Sequence, residues 1–163
     1  MLKFEKRLWR GMVLAGCLWA GLGQAVERFV VSADGQEVTD TRTGLIWRRC
    51  AEGMTFKGNT CTGSGTTYTH EQALQRATRE ATRTGLDWRL PNVKELSSLV
   101  DRSRREPAID AKAFPATPSK WFWSSSPYVG GSGSAWYVDF NDGVVVSYYG
   151  RYLNNAVRLV RGG

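Results

Sequence analysis

The stretch from Trp121 to Gly163 constrains the fold most, because strand-forming aromatics alternate there with turn signals at short spacing. Trp121 to Ser124 reads as a strand and Gly130 to Ser134 as a loop. Ala135 to Phe140 alternates, with Trp136, Val138 and Phe140 on one face. Asn141-Asp142-Gly143 is a strong hairpin-turn signal leading into a strand from Val144 to Tyr149. After a polar loop from Gly150 to Asn155, Ala156 to Arg161 reads as a final strand with Val157 and Leu159 on its inner side. A meander of this kind needs a second layer over its apolar face.

The preceding residues supply helices for that layer. Thr69 to Gln72 has capping-box spacing, Ala73, Ala77 and Ala81 recur at helical intervals, and Gly85 marks the end. His70 falls in the first turn and is expected at the surface, with Arg76, Arg79 and Arg83 on a solvated face. Asn92 caps a second helix with Glu95 three residues on. Val93, Leu96, Leu99 and Val100 form its buried stripe, and it is expected to end near Arg102. Residues 104 to 120 carry three of the five prolines and are expected to wrap the surface. Upstream, Arg28 to Ser32 and Leu45 to Trp47 read as short strands, and residues 49 to 68 as a loop with little regular structure. The fold class is therefore α+β.

Lys3, Lys6, Arg7 and Arg10 precede an apolar run of about a dozen residues, and Gly23-Gln24-Ala25 offers small residues where a signal peptidase cuts. A bilayer crossing needs roughly 18 to 20 apolar residues, so residues 1–25 read as a signal peptide and 26–163 as one exported domain, periplasmic, secreted or at the cell surface. A rival cut is a lipobox, Leu14 to Cys17, which would make the chain a lipoprotein acylated at Cys17. Cleavage after Ala25 removes four of the 22 Lys and Arg and one of the 15 acids, leaving a formal net charge of +4. The remaining arginines are spread, so no run marks a nucleic-acid arm, and the excess suits either plain solubility or anionic polysaccharides. Cleavage also leaves Cys50 and Cys61, an even pair in an oxidising compartment, expected to form a disulfide. One histidine and two thiols do not complete a zinc site, and the spacing is not Cys-x-x-Cys.

Five ordered motifs carry a wider signal: Thr41 to Trp47, Asp87 to Pro91 with Glu95-Leu96, Phe122 to Ser125, Ala135 to Phe140, and Val157 to Gly163. Together they resemble the Lcl C-terminal domain family, named for the end domain of a bacterial collagen-like adhesin. The resemblance implies a C-type-lectin-like fold with two helices, a small antiparallel sheet and adjacent terminal strands. It also implies exported, surface-associated binding of glycans, sulfated ones included, although this chain has no collagen repeat. A more distant resemblance, through Leu90-Pro91 with Glu95-Leu96 and the Arg158 to Gly163 ending, leads to sulfatase-modifying enzymes. Their reactive cysteines lie late in the chain, whereas Cys50 and Cys61 lie early.

No nucleophile is paired with a base by any motif, so no catalytic residue, cofactor or metal site is assigned, and the domain is expected to be a non-catalytic binder. Asp139, Asn141 and Asp142 offer calcium-type oxygens but also make the hairpin turn. Trp47, Trp88, Trp123 and Trp136 are assigned to the core. The candidate ligand-binding residues are Tyr128, Tyr149, Arg151, Tyr152 and Asn154, which combine aromatic faces, a guanidinium and an amide. Their expected partner is an acidic or sulfated glycan, or an envelope or surface protein. A structural role in cell-envelope assembly and an enzyme of sulfatase-modifying-like fold are the alternatives.

Overall fold

The computed structural model describes residues 27–148 and 150–163. The expected signal peptide, the lipobox at Cys17 and the candidate Tyr149 lie outside the described residues. The elements run β1 (Phe29–Val31), β2 (Glu37–Asp40), β3 (Leu45–Arg48), β4 (Thr55–Lys57), β5 (Thr60–Thr62), β6 (Thr67–Tyr68), α1 (His70–Thr84), α2 (Val93–Ser97), β7 (Trp121–Pro127), β8 (Ala135–Asp139), β9 (Val144–Val146), β10 (Asn155–Ala156) and β11 (Val160–Arg161). They form a four-stranded sheet in the order β1-β2-β3-β11, a five-stranded sheet in the order β6-β10-β7-β8-β9, and the β4–β5 hairpin. All described pairings are antiparallel except β7–β10. The class is α+β, and no described helix is long and apolar enough to cross a membrane.

Each sheet is held by a row of side chains across its strands. In the four-stranded sheet, Val31, Val38, Trp47 and Val160 stand opposite one another in turn, and the last three are fully buried. In the five-stranded sheet the row is Ala156, Phe122, Val138 and Val145, facing the same core as Leu96, Leu99, Ile109 and Phe114. The alternate row, Trp123, Tyr137 and Val146, faces a second core built with Ala73 and Ala77 of α1, Trp88, Leu90, Val157 and Leu159. This sheet is therefore covered on both faces, and the alternation expected for β8 holds only in part. Ala135 and Tyr137 are as buried as Val138 and Phe140, while Trp136 is half-buried and not a core residue.

α1 forms where its caps dictate. Thr69 Oγ1 accepts from Gln72 N–H, Gln72 Oε1 accepts from Thr69 N–H, and Gly85 closes the helix at φ 68°. α2 has the same reciprocal cap through Asn92 and Glu95 but is shorter than expected. After Ser97 the N–H groups of Leu99 and Val100 reach back only three residues, and Val100 then bridges to Ile109. That bridge takes the backbone bonds a longer helix would need. Residues 104–120 do not merely wrap the surface, since Ile109 and Phe114 are fully buried.

The largest departure is at the carboxy terminus. The expected strand from Ala156 to Arg161 is two strands in two sheets: β10 lies between β6 and β7, and β11 pairs with β3. The first and last strands share a sheet but are not neighbours, because β2 and β3 separate them, contrary to the expected adjacency. At the crossing, Arg158 is fully buried instead of contributing surface charge. Its guanidinium donates to the carbonyls of Arg48 (2.8 Å) and Arg49 and to Thr117 Oγ1 (2.7 Å), and it lies over the Phe114 ring. Burial pushes its pKa down to about 9, so it remains cationic at neutral pH.

Residues 49–68 are more regular than expected. β4 and β5 form a hairpin, with Cys50 bonded to Cys61 as the sequence predicted. The arginines of α1 are only partly a solvated face. Glu80 is 3% exposed and accepts from Arg48 Nη2 (2.6 Å), Arg83 Nη2 (2.6 Å) and Arg76 Nη2 (3.3 Å), while Arg76 also holds Glu52 at 2.6 Å. These pairs fasten α1 to the end of β3.

Candidate functional site

Two loops at one end of the five-stranded sheet are joined to each other. Ser134 bridges to Gly150, Arg151 N–H donates to Gly133 O (2.8 Å), and Arg151 Nε donates to Ser134 O (3.0 Å). Tyr128 is half-buried and packs edge-on against Trp136 at 5.5 Å. Gly130 leaves room for the ring, since a Cβ there would lie 2.6 Å from its outer end and displace it. The glycine-rich segment is thus tied down by its own tyrosine and by the arginine of the neighbouring loop.

From Gly150 the chain passes the start of α1, where Arg151 O accepts from His70 N–H at 3.0 Å. Arg151 and Tyr152 line an open recess of about 580 Å³ together with Thr69, His70, Glu71 and Leu74. Tyr152 is 78% exposed and Leu74 is exposed, so the recess offers an aromatic and an aliphatic surface. Arg151 spends Nε on a carbonyl, and among the described residues Nη1 and Nη2 have no hydrogen bond or ion pair. They form the fork by which arginine receives a carboxylate, a sulfate or a pair of hydroxyls.

His70 corrects the expectation of a surface residue: it is 4% exposed. Its Nε2 lies 3.0 Å from Ser124 O, and its ring meets Trp123 edge-on at 5.3 Å. Burial lowers its pKa, the charge of Arg151 adds to that, and the bond to Ser124 O opposes it, so the imidazole is neutral at physiological pH. His70 thus joins α1 to β7 through its ring and to the Arg151 loop through its backbone N–H. The available signal was spacing, since His70 stands three and seven residues before Ala73 and Ala77 and so shares their buried face.

Asn154 is exposed and lies elsewhere, lining a separate recess with Trp121, Asp139 and Asn155. The candidate residues are therefore distributed: Arg151 and Tyr152 share one recess, Asn154 borders another, and Tyr128 packs on Trp136. Sequence reasoning missed Trp121 and Asn155, brought to one recess by the β10–β7 pairing, and His70, Glu71 and Leu74, brought to the other where the Arg151 loop crosses the start of α1. The carboxylates considered for calcium are engaged locally. Asp139 accepts from Trp121 Nε1 (2.9 Å) and Asn141 N–H (2.8 Å), and Asp142 accepts from Val144 N–H (3.1 Å). Among the described residues no three His, Cys, Asp or Glu side chains converge as a metal site.

No curated protein and no solved structure matches the chain. The family model for the Lcl C-terminal domain matches residues 36–161, from the turn before β2 through the end of β11. The chain belongs to the Lcl C-terminal domain family.

Proposed function

We propose that this chain is an exported, non-catalytic binding module that recognises a glycan in the recess beside the start of α1. The observation that carries the reading is the unspent Arg151 fork standing next to the exposed Tyr152 ring in one recess. A pyranose has an apolar face for an aromatic ring and hydroxyls or acidic groups for a guanidinium, so the pair suits a sugar bearing a carboxylate or sulfate. Glu71 at the same recess accepts hydroxyl protons and directs an anionic group toward Arg151. The pairing of Cys50 with Cys61 supports binding over thiol chemistry, since neither sulfur is a free nucleophile.

The test is a glycan array of sulfated, uronate-bearing and neutral saccharides probed with the purified protein and with an Arg151→Ala/Tyr152→Ala variant. Selective binding to acidic saccharides, lost in a variant that keeps its fold by circular dichroism, is the expected result. Equal signals from the two proteins would place recognition outside this recess. A second reading, docking to a protein of the cell envelope, is favoured by Val129, Tyr148 and Tyr152, which are 98%, 71% and 78% exposed.

A further inference from the structure

A second recess, of about 390 Å³, shares no lining residue with the first. It lies where β6, β7 and β10 begin and β8 ends, so its walls come from four strands of the five-stranded sheet. Three observations give it a definite chemistry.

The first is an orphan donor. Asn155 lines the recess and is 4% exposed, and its amide Nδ2 meets no hydrogen-bond partner among the described residues. A buried amide without a partner costs about 1–3 kcal/mol, so an acceptor supplied to it, by an ordered water or by a ligand, relieves that cost. The second is a fixed aromatic and acid pair. The Trp121 indole donates to Asp139 Oδ2 at 2.9 Å and Asn141 N–H donates to Asp139 Oδ1 at 2.8 Å, so both groups are held before any ligand enters. Each Asp139 oxygen keeps acceptor capacity for a hydroxyl proton.

The third is charge. Among the described residues Lys120 and Asp139 are the only Lys, Arg, Asp or Glu side chains lining the recess, and their formal charges balance. The first recess is balanced too, by Arg151 and Glu71, but there the aromatic ring stands beside the guanidinium, whereas here the indole is bonded to the carboxylate. A recess of no net charge with a carboxylate acceptor, the amides of Asn141, Asn154 and Asn155 and an indole matches hydroxyl groups that both donate and accept, carried on a ring with an apolar face.

We infer that the recess lined by Trp121, Asp139, Asn154 and Asn155 is a second binding site, for a neutral hexopyranose unit. It extends the glycan reading but rests on different residues, so the two fail separately. The Asn155 amide donates to a ring hydroxyl oxygen, Asp139 accepts from a neighbouring hydroxyl, and the exposed Asn154 closes the open side.

The experiment is a titration of ¹⁵N-labelled protein with methyl glucoside, galactoside and mannoside and, separately, with methyl glucuronide and inorganic sulfate, followed through the Trp121 indole and Asn155 amide signals. At least one neutral glycoside is expected to shift both signals saturably at millimolar concentration. Asn154→Ala, an exposed substitution that leaves the fold intact, is expected to weaken that binding about tenfold, the equivalent of one hydrogen bond. Arg151→Ala is expected to leave it unchanged. No saturable shift with any neutral glycoside overturns the proposal, and so does saturation by glucuronide or sulfate alone. Loss of the shift in Arg151→Ala but not in Asn154→Ala would assign the sugar to the first recess and overturn it as well.

Discussion

Removing the Cys50–Cys61 bond is expected to destabilise the domain by about 3 kcal/mol, and the magnitude follows from what the bond encloses. The two cysteines are 11 positions apart, and the loop between them carries β4 and β5. That hairpin joins neither larger sheet, and a two-stranded hairpin alone is marginal in water. Besides the disulfide, it is attached through the Phe56 ring, which lies under the Arg49 guanidinium at 4.7 Å and over Gly35, and through its flank, where Met54 packs on the core and Glu52 N–H donates to Val157 O at 2.9 Å. Opening a loop of this size returns about 3 kcal/mol of entropy to the denatured chain. The assay is urea unfolding followed by tryptophan fluorescence, comparing the oxidised protein, the reduced protein and Cys50→Ala/Cys61→Ala. With a denaturant slope of about 1–3 kcal/mol/M, both altered forms should unfold about 1–3 M earlier. A midpoint unchanged on reduction would refute the argument. A drop in the alanine variant alone would assign the loss to the packing of Cys61, which is 4% exposed, and not to loop closure.

Two further outcomes are expected. The Glu80 carboxyl is held below the usual carboxylate range, first by hydrogen bonds from Arg83, against the opposing effect of burial, and then by the charges of Arg48, Arg83 and Arg76. Its stabilisation is complete above the ordinary value of 4.5 and is lost as pH falls through the lower folded value, so thermal melts of Glu80→Gln should be less steeply pH-dependent than wild type below about pH 4.5. Parallel curves would contradict this. Gly143 has φ 84°, and a Cβ there would lie 2.4 Å from Val100 Cγ1, so Gly143→Ala should cost about 1–3 kcal/mol, read as a lower melting temperature, and an unchanged melt would refute the packing of this turn on Val100.

Local signals in the sequence were legible where the physics is local. The Thr69 and Asn92 caps, the Gly85 stop, the Asn141 to Gly143 turn and the cysteine pair all depend on neighbours a few residues away. Features set by chain crossings were not. Arg158 is indistinguishable in sequence from the exposed arginines around it, because the carbonyls that receive it belong to Arg48 and Arg49, over a hundred residues earlier. The alternation of β8 suggests one buried face, yet α1 covers the other, and only the tertiary arrangement says so. The candidate site was legible in its residue types and not in its partition, since the two recesses are divided by the path of residues 150–156 across the sheet end.

The split of the final segment into β10 and β11 bears on when the protein becomes a protein. A chain that has grown only as far as Asn154 lacks a central strand of one sheet, an edge strand of the other and the Arg158 plug between them. Helix α1 can form early from its own caps, but neither core can close around it. Neither sheet is complete until residues 155–161 have been made, so a chain cut short of them leaves both cores open.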